Sequence, residues 1–317
     1  MKVLVKGPFN IEKASKAAPN LEIKQVNDET SLFSNAHDAD IILMMSLGWI
    51  ESGFPALLNA SPKLKWFHCS SAGVDPLICP ELVSSNIILT SAKGFTVGPL
   101  LAEHAFALML SLSRGIVEPN QIKQWNPQSD SAKQVYEIAG KTLGIVGFGG
   151  TGKALALRAQ SFGMEVIAIR RNPASKSNFV EWGTNRFLEM LEIADFVVIA
   201  VPDTPDTKSM FNSEAFFRMK KSAILINVGR GQTVETDALV DALINKKIAG
   251  AGLDVVNPEP LPPNHPLWKI DNVIVTPHIA GNSPERTKRN ETTVLENLSA
   301  FCNGLPLKNT VNLNLGY

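Results

Sequence analysis

Three polar residues in the second half of the chain have the types and settings for carbonyl chemistry. Arg230 stands in AILINVGRG, at the end of an apolar run and between two glycines. A guanidinium fork there can grip a carboxylate and a carbonyl oxygen together, and the flanking glycines point to constrained backbone close to a ligand. His278 stands in NVIVTPHIAG and Glu259 in GAGLDVVNPEPLP. Near neutral pH a histidine can give a proton to a carbonyl oxygen that is becoming an alkoxide, and take it back in the reverse direction. A neighbouring carboxylate would orient the ring and favour its charged form. Taken singly, each residue also reads as a surface arginine, a loop glutamate or a satisfied histidine. The wording around all three is what sets them apart.

A glycine loop precedes them. GKTLGIVGFGGTGKALALRAQSFG sets Gly147, Gly149 and Gly152 after an apolar strand and at the start of an Ala/Leu-rich helix, with Gly150 and Thr151 inside the loop. The first glycine allows a tight turn, the second lets backbone approach a pyrophosphate, and the third lets helix pack on strand. The helix start then supplies N–H groups and a positive end to an anion. The same letters nearly spell a phosphate-binding P-loop, but Ala154 stands where the magnesium-binding Ser or Thr would be, so a nucleoside-triphosphatase is disfavoured. Lys153 reads equally well as a neighbour of the pyrophosphate or as a solvated first-turn lysine.

Dinucleotide-binding units usually carry a ribose-holding acid roughly 20 residues past the loop, at the end of the second strand. Glu165 begins that strand, MEVIAI, and so lies at its wrong end. Arg170 and Arg171 take the place of the acid instead. Two guanidinium groups there suit a 2′-phosphate, which accepts charge-assisted hydrogen bonds.

The elements that must position these residues form two series. KVLV, ADIILMM, LKWFHC and NIILTS are short apolar runs in the first hundred residues. KTLGIVG, MEVIAI, ADFVVIAV, SAILINVG, IAGAGLDV and NVIVTP make the second series, with helical stretches between. Continuous apolar runs suit strands covered on both faces. The pattern predicts an α/β protein of two doubly wound parallel-sheet domains. The joint falls near GFTVGPLLAEHAFALMLSLSRG, and a last helix, SPERTKRNETTVLENLSAFCNG, is expected to cross back to the first domain. The boundaries are therefore residues 1–98 with 285–317, and 99–284.

Composition excludes several classes. With 44% hydrophobic and 19% charged residues among 317, the chain reads as an ordinary globular protein. Thirty basic and thirty acidic residues cancel, so nothing argues for nucleic acid or an anionic membrane as partner. Cys69, Cys79 and Cys302 are scattered, without a CxxC pair, which disfavours a disulfide framework and a zinc site, and predicts a reducing, cytoplasmic home. No metal is expected. MKVLVKGPFN breaks at Gly-Pro and reads as a first strand rather than a signal peptide.

NVGRG, LDVVNPEPLP and HPLWKIDNVIVTPHIAG, following GKTLGIVGFGGTGK, resemble the successive motifs of the D-isomer-specific 2-hydroxyacid dehydrogenase family. HCSSAGVD and LLAEHAFALMLSLSRG extend the resemblance over most of the chain. It implies a Rossmann-like cofactor domain over 99–284 and a flavodoxin-like substrate domain over the remainder. It further implies that Arg230 binds the carboxylate and carbonyl of a 2-oxo acid, that His278 is the general acid, and that Glu259 is its hydrogen-bonded partner. Backbone N–H groups near Ala72 and Gly73 would hold the substrate carboxylate. Pro202, Thr207, Val228 and Asp254 would border the cofactor, and a homodimer would form through the cofactor domain.

Departures from the pattern refine this. Thr151 replaces an aliphatic residue with little consequence, and Glu259 argues against the formate dehydrogenases, which pair Gln with the histidine. Arg170 replaces the usual Asp, so NADPH is expected over NADH, as in the glyoxylate/hydroxypyruvate reductase branch. The expectation is an NADPH-dependent reductase giving D-2-hydroxy acids from small 2-oxo acids. The rivals are a reductase of bulkier 2-oxo acids, with Leu47, Trp49 and Phe54 as candidates to line its pocket, and a nucleotide-sensing interaction module. Of the other histidines, His68 reads as a buried strand residue, His104 as a packing or interface residue, and His37 and His265 as loop residues.

Overall fold

A computed structural model describes residues 1–46, 50–116, 123, 125 and 135–317. They divide into two compact units, Met1–Val97 with Ser283–Tyr317, and Gly98–Asn282.

Unit 1 begins with five parallel strands, β1 (Lys2–Lys6), β2 (Glu22–Val26), β3 (Ile41–Met44), β4 (Trp66–Cys69) and β5 (Ile88–Ser91), in the order β2-β1-β3-β4-β5. That is the flavodoxin-like order. Helices α1 (Ile11–Ala17), α2 (Glu29–Ala36), α3 (Phe54–Ala60) and α4 (Pro80–Val83) run between strands. All four residues of β3 are buried, with Ile42 and Met44 in one core and Ile41 and Leu43 in the other. A strand buried on both faces needs such an unbroken apolar run.

Unit 2 opens on α5 (Gly98–Ser113) and builds a seven-stranded parallel sheet from β6 (Thr142–Val146), β7 (Glu165–Ile169), β8 (Val180–Trp182), β9 (Phe196–Ile199), β10 (Ile224–Asn227), β11 (Gly250–Leu253) and β12 (Val273–Val275). Its order, β12-β11-β10-β9-β6-β7-β8, is the Rossmann arrangement with one further strand, and the chain reverses direction across the sheet between β6 and β9. Helices α6 (Gly150–Ser161), α7 (Phe187–Ile193), α8 (Ser213–Arg218) and α9 (Thr236–Ile244) cover its faces. Along β9 the side chains alternate between the two cores, Val197 and Ile199 in one, Phe196 and Val198 in the other. α6 buries Gly152, Leu155, Ala156 and Ala159, the i, i+3, i+4, i+7 stripe of a helix with one covered face.

The last helix, α10 (Pro284–Cys302), belongs to unit 1, where Val294 and Leu298 join Val3, Val5, Ile41, Leu43 and Trp66 in one core. The Ser283 side chain caps it by accepting from the Arg286 N–H, and Pro284 fills its first position. Among the described residues no helix is long and apolar enough to cross a membrane.

Candidate active site

The unit 2 residues singled out in the sequence lie past the C-terminal ends of parallel strands, the edge at which open α/β sheets bind ligands. Across the sheet they run His278 past β12, Asp254 and Glu259 past β11, Val228 and Arg230 past β10, Pro202 and Thr207 past β9, the glycine loop past β6, and Arg170 with Arg171 past β7.

His278 Nδ1 stands 2.5 Å from Glu259 Oε1, and both side chains are exposed, at 52% and 41%. The histidine sits in the left-handed region at φ +54. Such a conformation needs outside support, and Asp254 supplies it. Its carboxylate, 2% exposed, accepts from the N–H groups of Ile279 and Ala280, each at 2.9 Å, and from the Thr276 hydroxyl at 2.6 Å. The His278 N–H donates to the Asp254 carbonyl at 3.0 Å. His104 Nε2 in α5 meets the Thr276 hydroxyl at 2.8 Å and lies 3.4 Å from Asp254 Oδ1. Asp254, expected to border a cofactor, thus also fastens the turn that carries His278, and His104 belongs to the same network. The sequence signal for that link is a lone polar pair, Glu103-His104, in an otherwise apolar helix.

Arg230 is fixed through its own backbone. The Arg230 carbonyl accepts from Asn227 Nδ2 at 3.0 Å and from the Thr233 hydroxyl at 2.6 Å, while Asn227 Oδ1 accepts from the Gly229 N–H at 3.0 Å. Arg230 Nη1 donates to the Gly229 carbonyl at 2.8 Å. Val228 is buried, and the Thr207 hydroxyl knits its loop by donating to the Pro202 carbonyl at 2.7 Å and accepting from the Thr204 N–H at 2.9 Å.

The glycine loop fits the pyrophosphate of a dinucleotide. Gly147 has φ +99, and a Cβ there would lie 2.5 Å from the Ala200 carbonyl oxygen. A Cβ at Gly152 would overlap the Gly147 carbonyl, so α6 packs against the loop only because that position is glycine. Gly149 opens onto free space, Gly150 and Thr151 begin α6, and no side chain caps the helix start. Its first N–H groups therefore point to an anion.

Arg170 and Arg171 are both in ion pairs. Arg170 Nη1 meets Glu181 Oε2 at 3.2 Å, and Arg171 Nη2 meets Asp206 Oδ2 at 2.9 Å. Glu181, on β8, is largely buried. Desolvation raises its pKa, but hydrogen bonds from the Ala174 N–H, Ser177 and Arg170 outweigh that and hold it below the ordinary value. The sequence hid this acid, because VEW is too short to read as a strand.

In unit 1 the Ser70–Gly73 loop, including Ala72, follows β4. A buried chain of hydrogen bonds leads to it. Trp66 Nε1 donates to the Thr90 hydroxyl at 2.8 Å, and that hydroxyl lies 2.9 Å from His68 Nδ1. His68 Nε2 then donates to Asn290 Oδ1 at 3.2 Å, and Asn290 Nδ2 donates to Ser70 Oγ at 2.8 Å. Asn290 Oδ1 can only accept, so Nε2 carries the proton, and in the neutral ring Nδ1 accepts from the Thr90 hydroxyl. Burial, with a smaller contribution from the Arg286 charge and against the Asn290 hydrogen bond, brings the His68 pKa down to about 4. The expectation that His68 is a buried strand residue is met. Phe54 is a correction: it is 3% exposed, with its ring 4.7 Å from Phe67 in the core, so it lines no open pocket. Leu47 and Trp49 lie outside the described residues.

A sequence profile described as D-isomer specific 2-hydroxyacid dehydrogenase, NAD binding domain, matches residues 106–280. A glyoxylate reductase of Korarchaeum cryptofilum is 35% identical over 313 residues, 94% of this chain and 92% of its own. Two solved NADPH-dependent glyoxylate/hydroxypyruvate reductases of Sinorhizobium meliloti, one in complex with NADP and sulfate and one with NADP and malonate, share the fold with TM-scores of 0.79 and 0.78. They are 26% and 27% identical, cover 100% and 99% of this chain, and are themselves covered over 99% and 97%. As its motifs imply, the chain is an oxidoreductase and belongs to the D-isomer specific 2-hydroxyacid dehydrogenase family.

Proposed function

We propose that the protein reduces a small 2-oxo acid, glyoxylate or hydroxypyruvate by preference, to the D-2-hydroxy acid with NADPH, and uses NADH less well. The observation that carries this reading is the 2.5 Å contact of His278 with Glu259, at the strand edge shared with Arg230 and the glycine loop. When bound, the nicotinamide supplies the hydride.

This chain's own residues do the rest. Glu259 accepts the Nδ1 proton of His278, which leaves Nε2 to give its proton to the substrate oxygen as the carbonyl is reduced. The ring keeps the Nδ1 proton and regains the other from solvent. Arg230 draws the carboxylate and carbonyl oxygen into one plane and stabilises the growing negative charge. The N–H groups of Ala72 and Gly73 are assigned to the carboxylate, and Pro202, Thr207, Val228 and Asp254 to the surroundings of the cofactor.

Arg170 and Arg171 are assigned to the 2′-phosphate of NADPH. The Arg171–Asp206 pair itself is weak, because Asp206 is 75% exposed and such a pair is worth about 0–1 kcal/mol. Similarity to NADPH-dependent reductases supports the choice. A homodimer built on the cofactor domain and a cytoplasmic home complete the proposal; the free thiols of Cys69, Cys79 and Cys302 suit a reducing compartment.

The test is a matrix of NADPH and NADH against glyoxylate, hydroxypyruvate, pyruvate, 2-oxoisocaproate and phenylpyruvate, scored by kcat/KM. The highest value should fall on NADPH with glyoxylate or hydroxypyruvate. A best substrate among the two bulky acids overturns the substrate assignment, and no turnover with any pair favours a nucleotide-sensing module.

A further inference from the structure

Unit 1 sets one cation against the Ser70–Gly73 loop and two more on or against the loop fastened to it, and gives none of them an ion-pair partner among the described residues. Arg286, in the first turn of α10, is 8% exposed and donates through Nη2 to the Ser70 carbonyl. Its Nε is buried and meets no acceptor. Arg289, one turn on, gives Nε to the Thr96 carbonyl at 3.1 Å and lies 5.7 Å from the centre of the exposed Phe95 ring, while its Nη2 is buried and unmatched. Lys93 lies three residues before Thr96, in the loop that follows β5. That loop is fastened to the first one, because the Ala92 N–H donates to the carbonyls of Cys69 and Ser71 at 3.1 and 3.0 Å.

Several cations elsewhere are paired. Lys2, Lys65, Arg158, Arg186 and Arg218 each meet a carboxylate at 2.5 to 2.8 Å. Lys93, Arg286 and Arg289 do not, although Lys93 is half-buried and Arg286 nearly wholly so. Burial draws the pKa values of Lys93 and Arg286 downward. Glu285, an acid whose charge is felt by Arg289, is fully exposed at the helix start. Buried or half-buried like charges without counter-ions are unfavourable, and an incoming anion relieves them.

We propose that Lys93, Arg286 and Arg289 form an anion site of unit 1 that takes the carboxylate of the 2-oxo acid, with Lys93 as the cation in contact with it. The inference rests on the reading that this carboxylate goes to the N–H groups of Ala72 and Gly73, and it adds the charge that makes the loop selective. Arg286 is a positioning residue, acting through the Ser70 carbonyl. Arg289 adds to the positive field from the neighbouring loop. A site of this charge favours compact acids such as glyoxylate, in which the carboxylate is most of the molecule, over acids with a large apolar tail.

The experiment uses the full chain, with Lys93→Met, Lys93→Arg and Arg289→Met beside the parent. KM and kcat for glyoxylate are measured at low and high salt, and the oxalate Kd is measured by calorimetry without cofactor. Lys93→Met should raise both KM and the oxalate Kd about tenfold or more, with the loss falling on KM rather than kcat. Lys93→Arg should recover most of it, and the salt dependence of KM should flatten in Lys93→Met and less in Arg289→Met. An unmoved KM and oxalate Kd in Lys93→Met, with unchanged thermal unfolding, overturns the anion site. Oxalate bound through Lys93 by a protein that turns over no 2-oxo acid would leave the site standing and remove the proposed reaction. Turnover that ignores Lys93 would do the reverse, and neither oxalate binding nor turnover would remove both.

Discussion

Replacing His68 with glutamine should flatten the acid sensitivity of unit 1. In the folded chain His68 stays neutral down to about pH 4, because burial opposes its charge and Arg286 adds to that opposition. Unfolded, it takes up a proton near the ordinary histidine value of about 6.5. Between these two pH values the unfolded state binds the extra proton and the folded state does not, so falling pH pulls unit 1 towards unfolding. The full difference amounts to about 3 kcal/mol, absent above pH 6.5 and complete near pH 4. Glutamine does not titrate, so His68→Gln should lose this share of the pH dependence, whatever stability it loses uniformly by disturbing Thr90 and Asn290. Urea-dependent hydrogen exchange of the β3 and β4 amides, at pH 7.5 and pH 4.5, reports unit 1 apart from unit 2. If parent and variant lose stability in parallel between those values, within about 0.5 kcal/mol, His68 is not held neutral and the one-way hydrogen-bond chain through it is wrong.

Arg170→Asp should lower kcat/KM with NADPH at least about tenfold and spare NADH, since one charged hydrogen bond contributes roughly 1.5 to 3 kcal/mol; equal loss with both cofactors would mean a damaged turn beside Glu181. His278→Gln should cut reduction by about 10² to 10⁴-fold. Asp254→Asn keeps the shape but turns an amide towards the N–H groups of Ile279 and Ala280. It should lower kcat about tenfold by loosening the His278 turn while the cofactor Kd changes less, and stopped-flow turnover beside calorimetry separates the two.

Strands covered on both faces were legible as unbroken apolar runs, IILM and FVVI among them. Two of the four edge strands were not. EIKQV carries polar residues on both faces, and VEW has only three residues, so neither stood out. With VEW went Glu181, and with Glu181 the partner of Arg170. Chemistry tied to local wording was readable: His278 and Glu259 are 19 residues apart in motifs distinctive enough to name, and they do meet. Chemistry made by tertiary position was not. SPERTKRNE opens the helix expected to cross back to the first domain, but nothing in its wording marks Arg286 and Asn290, which are buried beneath a loop more than two hundred residues earlier. Asp254 shows the intermediate case, flagged by its motif but not for the turn it holds.

The two-part build of unit 1 sets an order on synthesis. Its five strands leave the ribosome first, but the face lined by Val3, Val5, Ile41, Leu43 and Trp66 waits for Val294 and Leu298 from the far end of the chain. Unit 2 is continuous and can close once β12 has emerged. The unit begun first is therefore finished last, and it carries a bare apolar sheet through most of translation, a state that invites aggregation or chaperone binding. The segment that ends the wait starts at Ser283, five residues past His278. A nascent chain thus acquires His278 just before the helix that completes its first-made half, and a chain stopped between the two would hold a finished unit 2 beside an N-terminal half that cannot complete one of its cores.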